Sequence, residues 1–286
     1  METPNRRKER WKPVASCLPQ MAQVSGKMDT EVCAFVRHAL RDGRVRLAYQ
    51  PVVSSRANRR VAFHEALVRL TTESGTEVPP GAFLQAIVGT GLAAEMDRAV
   101  LRRVLAELEF DPALRLSVNI HPETICDEGW RGILRHAVAL RPELGFRLIV
   151  EVSEETSLTN NPQAVDFLGF LAQRGVSLAL DDFGAGATSL RDLRVFRFDF
   201  LKIDGSLCRG LADDDGLQCM VAAIVDIARH HDLVTVAEFI SREADAEMAA
   251  RLGVDCLQGA CFGLSVSLSK EMGQTGTGKG QEQRHA

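Results

Sequence analysis

The sequence predicts an α/β fold, a (β/α)8 TIM-like barrel with an irregular, antiparallel first strand. Three observations carry that prediction. Eight short β-rich segments alternate with longer helical ones between residues 30 and 265. Seven of the eight strands end on an acid, an amide or an ammonium, as barrel strands do where they deliver side chains to one rim. The first two strands are joined only by SSRANRR (54–60), too short for a crossover helix, so that pair must run antiparallel.

The elements follow in order. RLAYQPVV (46–53) and VAFHEALVRL (61–70) read as strands from their β-branched and aromatic content. LRLSVNI (114–120), FRLIVEV (146–152) and VSLALDDF (176–183) continue the set. FDFLKID (198–204), LVTVAEF (233–239) and VDCLQG (254–259) complete it. Helical periodicity fills most gaps, at 30–42, 81–89, 94–108, 129–140, 162–175, 217–231 and 243–253. Gly175 and Gly253 stand where helices stop before the next strand.

Residues 1–28 mix Pro, Arg, Lys and Ser without periodicity and read as a basic flexible leader. Residues 267–286 are polar and Gly-rich and read as a tail, which leaves 29–266 for the barrel domain. The leader carries a net charge of +4 and the remainder −8, for the total of −4. An acidic body is a poor partner for a nucleic-acid polymer, whose binding depends on phosphate contacts. No apolar run is long enough to span a bilayer. Seven scattered cysteines without a C-x-x-C pair suggest reduced thiols, and so a cytoplasmic protein.

The strand ends hold the chemistry. Glu65, Asn119, Glu151, Asp181, Asp182, Lys202, Glu238 and Gln258 each lie near the carboxyl end of a predicted strand. One polar end residue would only mark an exit to solvent, but seven strands of them imply a site. Carboxylates brought within a few ångströms repel, so the economical arrangement holds cations. Oxygen donors of this kind suit hard ions, Mg2+ or Mn2+, and a carboxylate shared by two ions suits phosphodiester hydrolysis. Lys202 could orient the attacking hydroxide or neutralise phosphate charge. Adjacent Asp181 and Asp182 would normally face apart, and strand-end twist is expected to bring both to the rim. Glu65, Leu67 and Arg69 share one side of their strand, so Arg69 either reaches a substrate phosphate or stands as a surface arginine.

Tyr49-Gln50-Pro51, then Glu65-Ala66-Leu67 with Arg69, resemble the signature of the EAL domains. LSVNI, IVEVSEE, LALDDFGAGATSL, FDFLKID, VTVAEF and CLQGACF follow in the family's order over about residues 30–265. The resemblance implies a phosphodiesterase that opens cyclic di-GMP to linear 5'-pGpG with two Mg2+ or Mn2+ ions, in bacterial second-messenger signalling. It implies Glu65, Asn119, Glu151 and Asp181 around one ion, and Asp181, Asp182 and Glu238 around the other. Lys202 would contact the nucleophilic water. Gln50, Leu67, Arg69 and Gln258 would line the substrate site. Glu154 would tether the loop Phe183–Leu190, which with the following helix would form a homodimer interface. Regulation is expected to come from expression, dimerisation, a separate protein or the tails.

The chain also departs from the family. Phe239-Ile240-Ser241 stand where Gly-Val-Glu is usual, and a phenylalanine there is expected to crowd the rim. Ala187 replaces an aromatic, and the usual Lys/Arg and Pro after Phe262 are missing. These departures motivate the alternative of a catalytically silent EAL domain serving as a cyclic di-GMP receptor or an interaction module. His121, two residues after Asn119, reads as a supporting or solvent-facing histidine rather than a ligand. GQTGTGKG (273–280) lacks the final Ser/Thr and the flanking strand of a phosphate-binding loop. A glycosidase would need only two carboxylates and would leave Asn119, Lys202 and the Asp pair unexplained.

Overall fold

Strand β1 (Val45–Ser54) runs against both of its neighbours and closes the barrel. It pairs antiparallel with β2 (Val61–Thr71) on one side and with β9 (Cys256–Gln258) on the other. The computed structural model describes residues 25–153, 161–185, 193 and 196–266. Between β2 and β9 the sheet is parallel throughout: β4 (Leu116–Asn119), β5 (Leu148–Ser153), β6 (Ser177–Phe183), β7 (Phe200–Ile203) and β8 (Val234–Ala237). The eight-stranded barrel and its antiparallel first strand are as the sequence predicts. A two-residue strand, β3 (Glu77–Val78), adds to the outside of β2.

Local chemistry sets the helix boundaries. Asp127, Asn161 and Asp214 each accept hydrogen bonds from backbone amides in the first turn of the helices Glu128–Leu140, Pro162–Ala172 and Asp215–His230. Gly175 and Gly253 take positive φ just past helix ends, as their residue type allows. Among the differences from expectation, three change what a segment is. Residues 146–147 end a short helix, Glu143–Arg147, rather than opening β5, because Pro142 precedes it in a helical conformation. The helix expected over 81–89 is a 3-10 turn at Pro80–Ala82 followed by Leu84–Ile87. Prolines at 79 and 80 and glycines at 89 and 91 break its run. The first helix, Ser25–Arg41, includes residues 25–28 of the segment read as leader.

Two apolar layers hold the barrel. The larger lies between strands and helices, around Trp130, Phe167, Leu101 and Leu201. The smaller is a rung inside the barrel made by Val52, Phe63, Ile149, Ala179, Phe200, Val236 and Cys256. Phe63 and Phe200 meet edge to face within it, with centroids 5.3 Å apart. Strand side chains alternate with period two. Two residues further along six of these strands stand Glu65, Glu151, Asp181, Lys202, Glu238 and Gln258, and on the reversed β1 the same step gives Gln50. The polar layer of the rim is therefore the rung directly above an apolar floor.

Candidate active site and metal centre

Lys202 stands at the centre of that polar rung. Its Nζ lies 2.7 Å from Glu151 Oε2, 2.8 Å from Glu238 Oε1, 2.9 Å from Asp181 Oδ1 and 3.7 Å from Glu65 Oε2. The lysine is only 1% exposed and Glu151 is fully buried. Glu65 accepts from Asn119 Nδ2 at 2.6 Å and from the Gln258 amide. Gln258 also donates to Gln50 Oε1 at 3.4 Å. Asp181, Asp182 and Glu238 bring one carboxylate oxygen each within 4.8 Å of one another.

Two backbone conformations shape this arrangement. Asp182 has φ +58°, and the β6–β7 ladder breaks between Leu180 and Phe183. The irregularity, rather than ordinary strand twist, lets two adjacent aspartates share the rim. Phe239, directly after Glu238, has φ +54°, a conformation that suits glycine and is costly for a bulky side chain.

The electrostatics follow from five carboxyl groups sharing one ammonium. Burial pushes Glu151 up to about 8, against the pull of Lys202, with Glu65 and Asp181 adding to the rise. Burial also raises Glu238 well above the ordinary carboxylate range, with Lys202 opposing and Asp181 and Glu65 reinforcing. Asp182 rises to about 6, through burial and then the charge of Asp181. Burial acts to lower Lys202, but the surrounding carboxylates outweigh it and hold the ammonium charged. Glu151 Oε1 is buried with no hydrogen-bond partner, and Asp181 Oδ1 meets Lys202 as an ion pair without an aligned hydrogen bond. Orphaned carboxylate oxygens and protons held against their ordinary affinity mark a rung short of positive charge. An all-oxygen donor set of this kind fits hard divalent cations.

Above the rung opens a cavity of about 500 Å³. Glu65, Asp181, Asp182, Lys202 and Glu238 line its base, with Gln50, Leu67 and Gln258 to one side. Arg209, Phe239, Ser241 and Leu264 form more of its wall.

The sequence profile of the EAL domain matches residues 35–265. The chain belongs to the EAL domain family. This EAL chain is 31% identical over 232 residues to the cyclic di-GMP phosphodiesterase PdeF of Escherichia coli, covering 80% of this chain and 31% of that protein. It is also 31% identical over 233 residues to the bifunctional diguanylate cyclase/cyclic di-GMP phosphodiesterase MucR of Pseudomonas aeruginosa, covering 80% and 34%. The chain thus spans roughly a third of either protein's length. Among solved structures it resembles the PaMucR phosphodiesterase in its c-di-GMP complex, with TM-score 0.76 and 30% identity over 84% of this chain and 99% of that one. The Xanthomonas citri FimX EAL domain in complex with c-diGMP gives TM-score 0.76 and 25% identity, over 84% and 95%.

Within this EAL barrel the residues singled out from sequence divide into three groups. Glu65, Asn119, Glu151, Asp181, Lys202, Glu238, Gln258 and Gln50 form one connected set through the contacts above, and Asp182 joins it through Asp181. Leu67 lines the cavity, whereas Arg69 stands further along β2, where its Nη2 donates to Ser265 Oγ at 2.7 Å. Glu154 and most of the loop Phe183–Leu190 lie outside the described residues. His121 is turned away from the carboxylates: its backbone N–H and Nδ1 meet Asp97, 2.7 and 3.2 Å away. That hydrogen bond raises its pKa.

Sequence reading missed Arg209 and Gly205. Both follow Lys202 at the carboxyl end of β7, in and just after the short helix Gly205–Cys208. Their position after a rim strand was the available signal. No helix among the described residues is long and apolar enough to cross a membrane.

Proposed function

We propose that this chain hydrolyses cyclic di-GMP to linear 5'-pGpG, lowering the second messenger in the bacterial cytoplasm. The carrying observation is the convergence of four carboxyl groups on Lys202, with Asp182 beside them, at the base of a cavity of about 500 Å³. The names of PdeF and MucR supply the substrate and the reaction.

Glu65, Asn119, Glu151 and Asp181 would hold one Mg2+ or Mn2+ ion, and Asp181, Asp182 and Glu238 a second. Such ions supply the positive charge that polarises a scissile phosphate and makes water acidic enough to attack it. The chain's own residues do the rest. Glu151 and Glu238, whose proton affinity burial raises, would hold the ions as carboxylates. Lys202, held charged by its neighbours, orients the attacking water and keeps the carboxylates from separating. Gln258 and Asn119 fix the rotamer of Glu65 by donating to its two oxygens. Gln50 and Leu67 bound the dinucleotide from β1 and β2, and Arg69 meets it beyond them after exchanging Ser265 for phosphate. A homodimer through the loop after Asp182, tethered by Glu154, and control by a separate protein complete the proposal.

A second reading is a silent receptor that binds the dinucleotide without turnover. Phe239 and Ser241, both lining the cavity, are the observation that favours it. Chromatography of cyclic di-GMP incubated with Mg2+, Mn2+ or chelator separates the two. Metal-dependent 5'-pGpG that disappears in Glu65→Ala supports the enzyme, whereas binding without product supports the receptor.

A further inference from the structure

Phe239 is an aromatic residue in a glycine-like conformation at the edge of the cavity. Its side chain lines that cavity and is 53% exposed, although a large apolar group beside a buried core ordinarily turns inward. Three features fix the ring. The backbone takes φ +54°, which persists for a bulky residue only where the surroundings over-determine it. Gly205 makes the room: a Cβ there would come within 2.4 Å of Phe239 Cδ2 and 2.8 Å of Cγ. Gly205 has no positive φ, so its missing side chain answers to the ring and not to the backbone. Arg209, also in the cavity wall, places its guanidinium carbon 4.5 Å from the ring centroid.

We propose that Phe239 is a specificity-determining residue whose immobilised ring, seated against Gly205 and Arg209, stacks on one purine base of the dinucleotide. This rests on the function proposed above and deepens it. The neighbouring carboxylates handle a phosphodiester and cannot distinguish what is attached to it. A flat apolar ring recognises the face of a base, and a ring already fixed loses little freedom on binding. Stacking of this kind is worth about fivefold to a hundredfold in affinity for each base.

The test compares cyclic di-GMP with its abasic analogue, the same cyclic di(ribose phosphate) ring without purine bases, in the full chain with Mn2+. Phe239→Leu keeps the backbone demand and removes the flat ring, Phe239→Tyr keeps the ring, and Gly205→Ala displaces it. The ratio of kcat/KM for the dinucleotide to that for the base-free diester should fall about tenfold in Phe239→Leu and Gly205→Ala. It should be retained in Phe239→Tyr. An equal fall for both substrates would mean that the ring acts through Glu238, and an unchanged ratio that it recognises nothing. Tighter dinucleotide binding in Phe239→Leu would make the ring an obstruction. Each of these three overturns the proposal. If the wild type binds the dinucleotide without turnover, the same tenfold loss is sought in Kd. A wild type that neither binds nor cleaves cyclic di-GMP defeats the underlying function itself, before any variant is compared.

Discussion

Lys202 Nζ and Glu151 Oε2 lie 2.7 Å apart with neither side chain more than 1% exposed, so each is the other's replacement for water. The pair comes from non-adjacent strands, β7 and β5, with β6 between them. It ties the barrel across its interior as well as around its wall. Breaking such a buried pair from one side leaves an uncompensated charge.

Lys202→Met should therefore destabilise the metal-free protein by about 3 to 5 kcal/mol at pH 8. At pH 5 the loss should be smaller, because the carboxyl groups can take up protons instead. Urea denaturation at the two pH values checks this. A change below about 1 kcal/mol at both would show that the ammonium does not balance the rung.

Glu65→Ala, Asp181→Asn and Glu238→Ala should each lower kcat for cyclic di-GMP by at least about a hundredfold. Mn2+ affinity, measured by calorimetry, should weaken in parallel. Near-normal turnover in any one of the three removes that residue from the assigned set.

The raised carboxyl groups also make stability depend on pH in a direction that metal reverses. Folded values of about 8 for Glu151 and about 6 for Asp182 exceed the ordinary 4.5 and 3.8. A raised folded pKa gives stability that is present at low pH and lost as pH climbs through the folded value. Lys202, also raised, stays charged over that window and adds no slope there. The chelated protein should melt at a lower temperature at pH 8.5 than at pH 6. His121 adds to the same trend through Asp97, but at a distance from the carboxylates. The rise in Tm given by Mn2+ should therefore grow from pH 6 to pH 8.5, and a rise independent of pH would contradict the assignment.

At position 239 the usual order of alanine and glycine should invert. Both Phe239→Ala and Phe239→Gly lose the ring, so their difference isolates the backbone. With φ at +54°, the glycine variant should be the more stable by about 1 kcal/mol in chemical denaturation. In an ordinary strand or helix the alanine variant would win.

The strands and the acids at their ends were readable because alternation with period two is strict and a carboxylate inside an apolar run is conspicuous. VTVAEF and SLALDDF each announce the acid that reaches the rim. The depth of Lys202 was not readable, since nothing local distinguishes a lysine that meets four carboxylates from one that meets solvent. Asp182 and Phe239 were opaque for another reason. Residue preferences assign the left-handed region to glycine, and only tertiary packing places an aspartate and a phenylalanine there. The break at Pro79 and Pro80 was visible in the residues, but the apolar period of 81–89 masked it.

The apolar rung of Val52, Phe63, Ile149, Ala179, Phe200, Val236 and Cys256 seals the barrel from below. Among the described residues, the open side of Glu151 and Glu238 therefore faces upward, toward Asp182 and the cavity. The site is a blind well, in which the order of filling governs what can still leave.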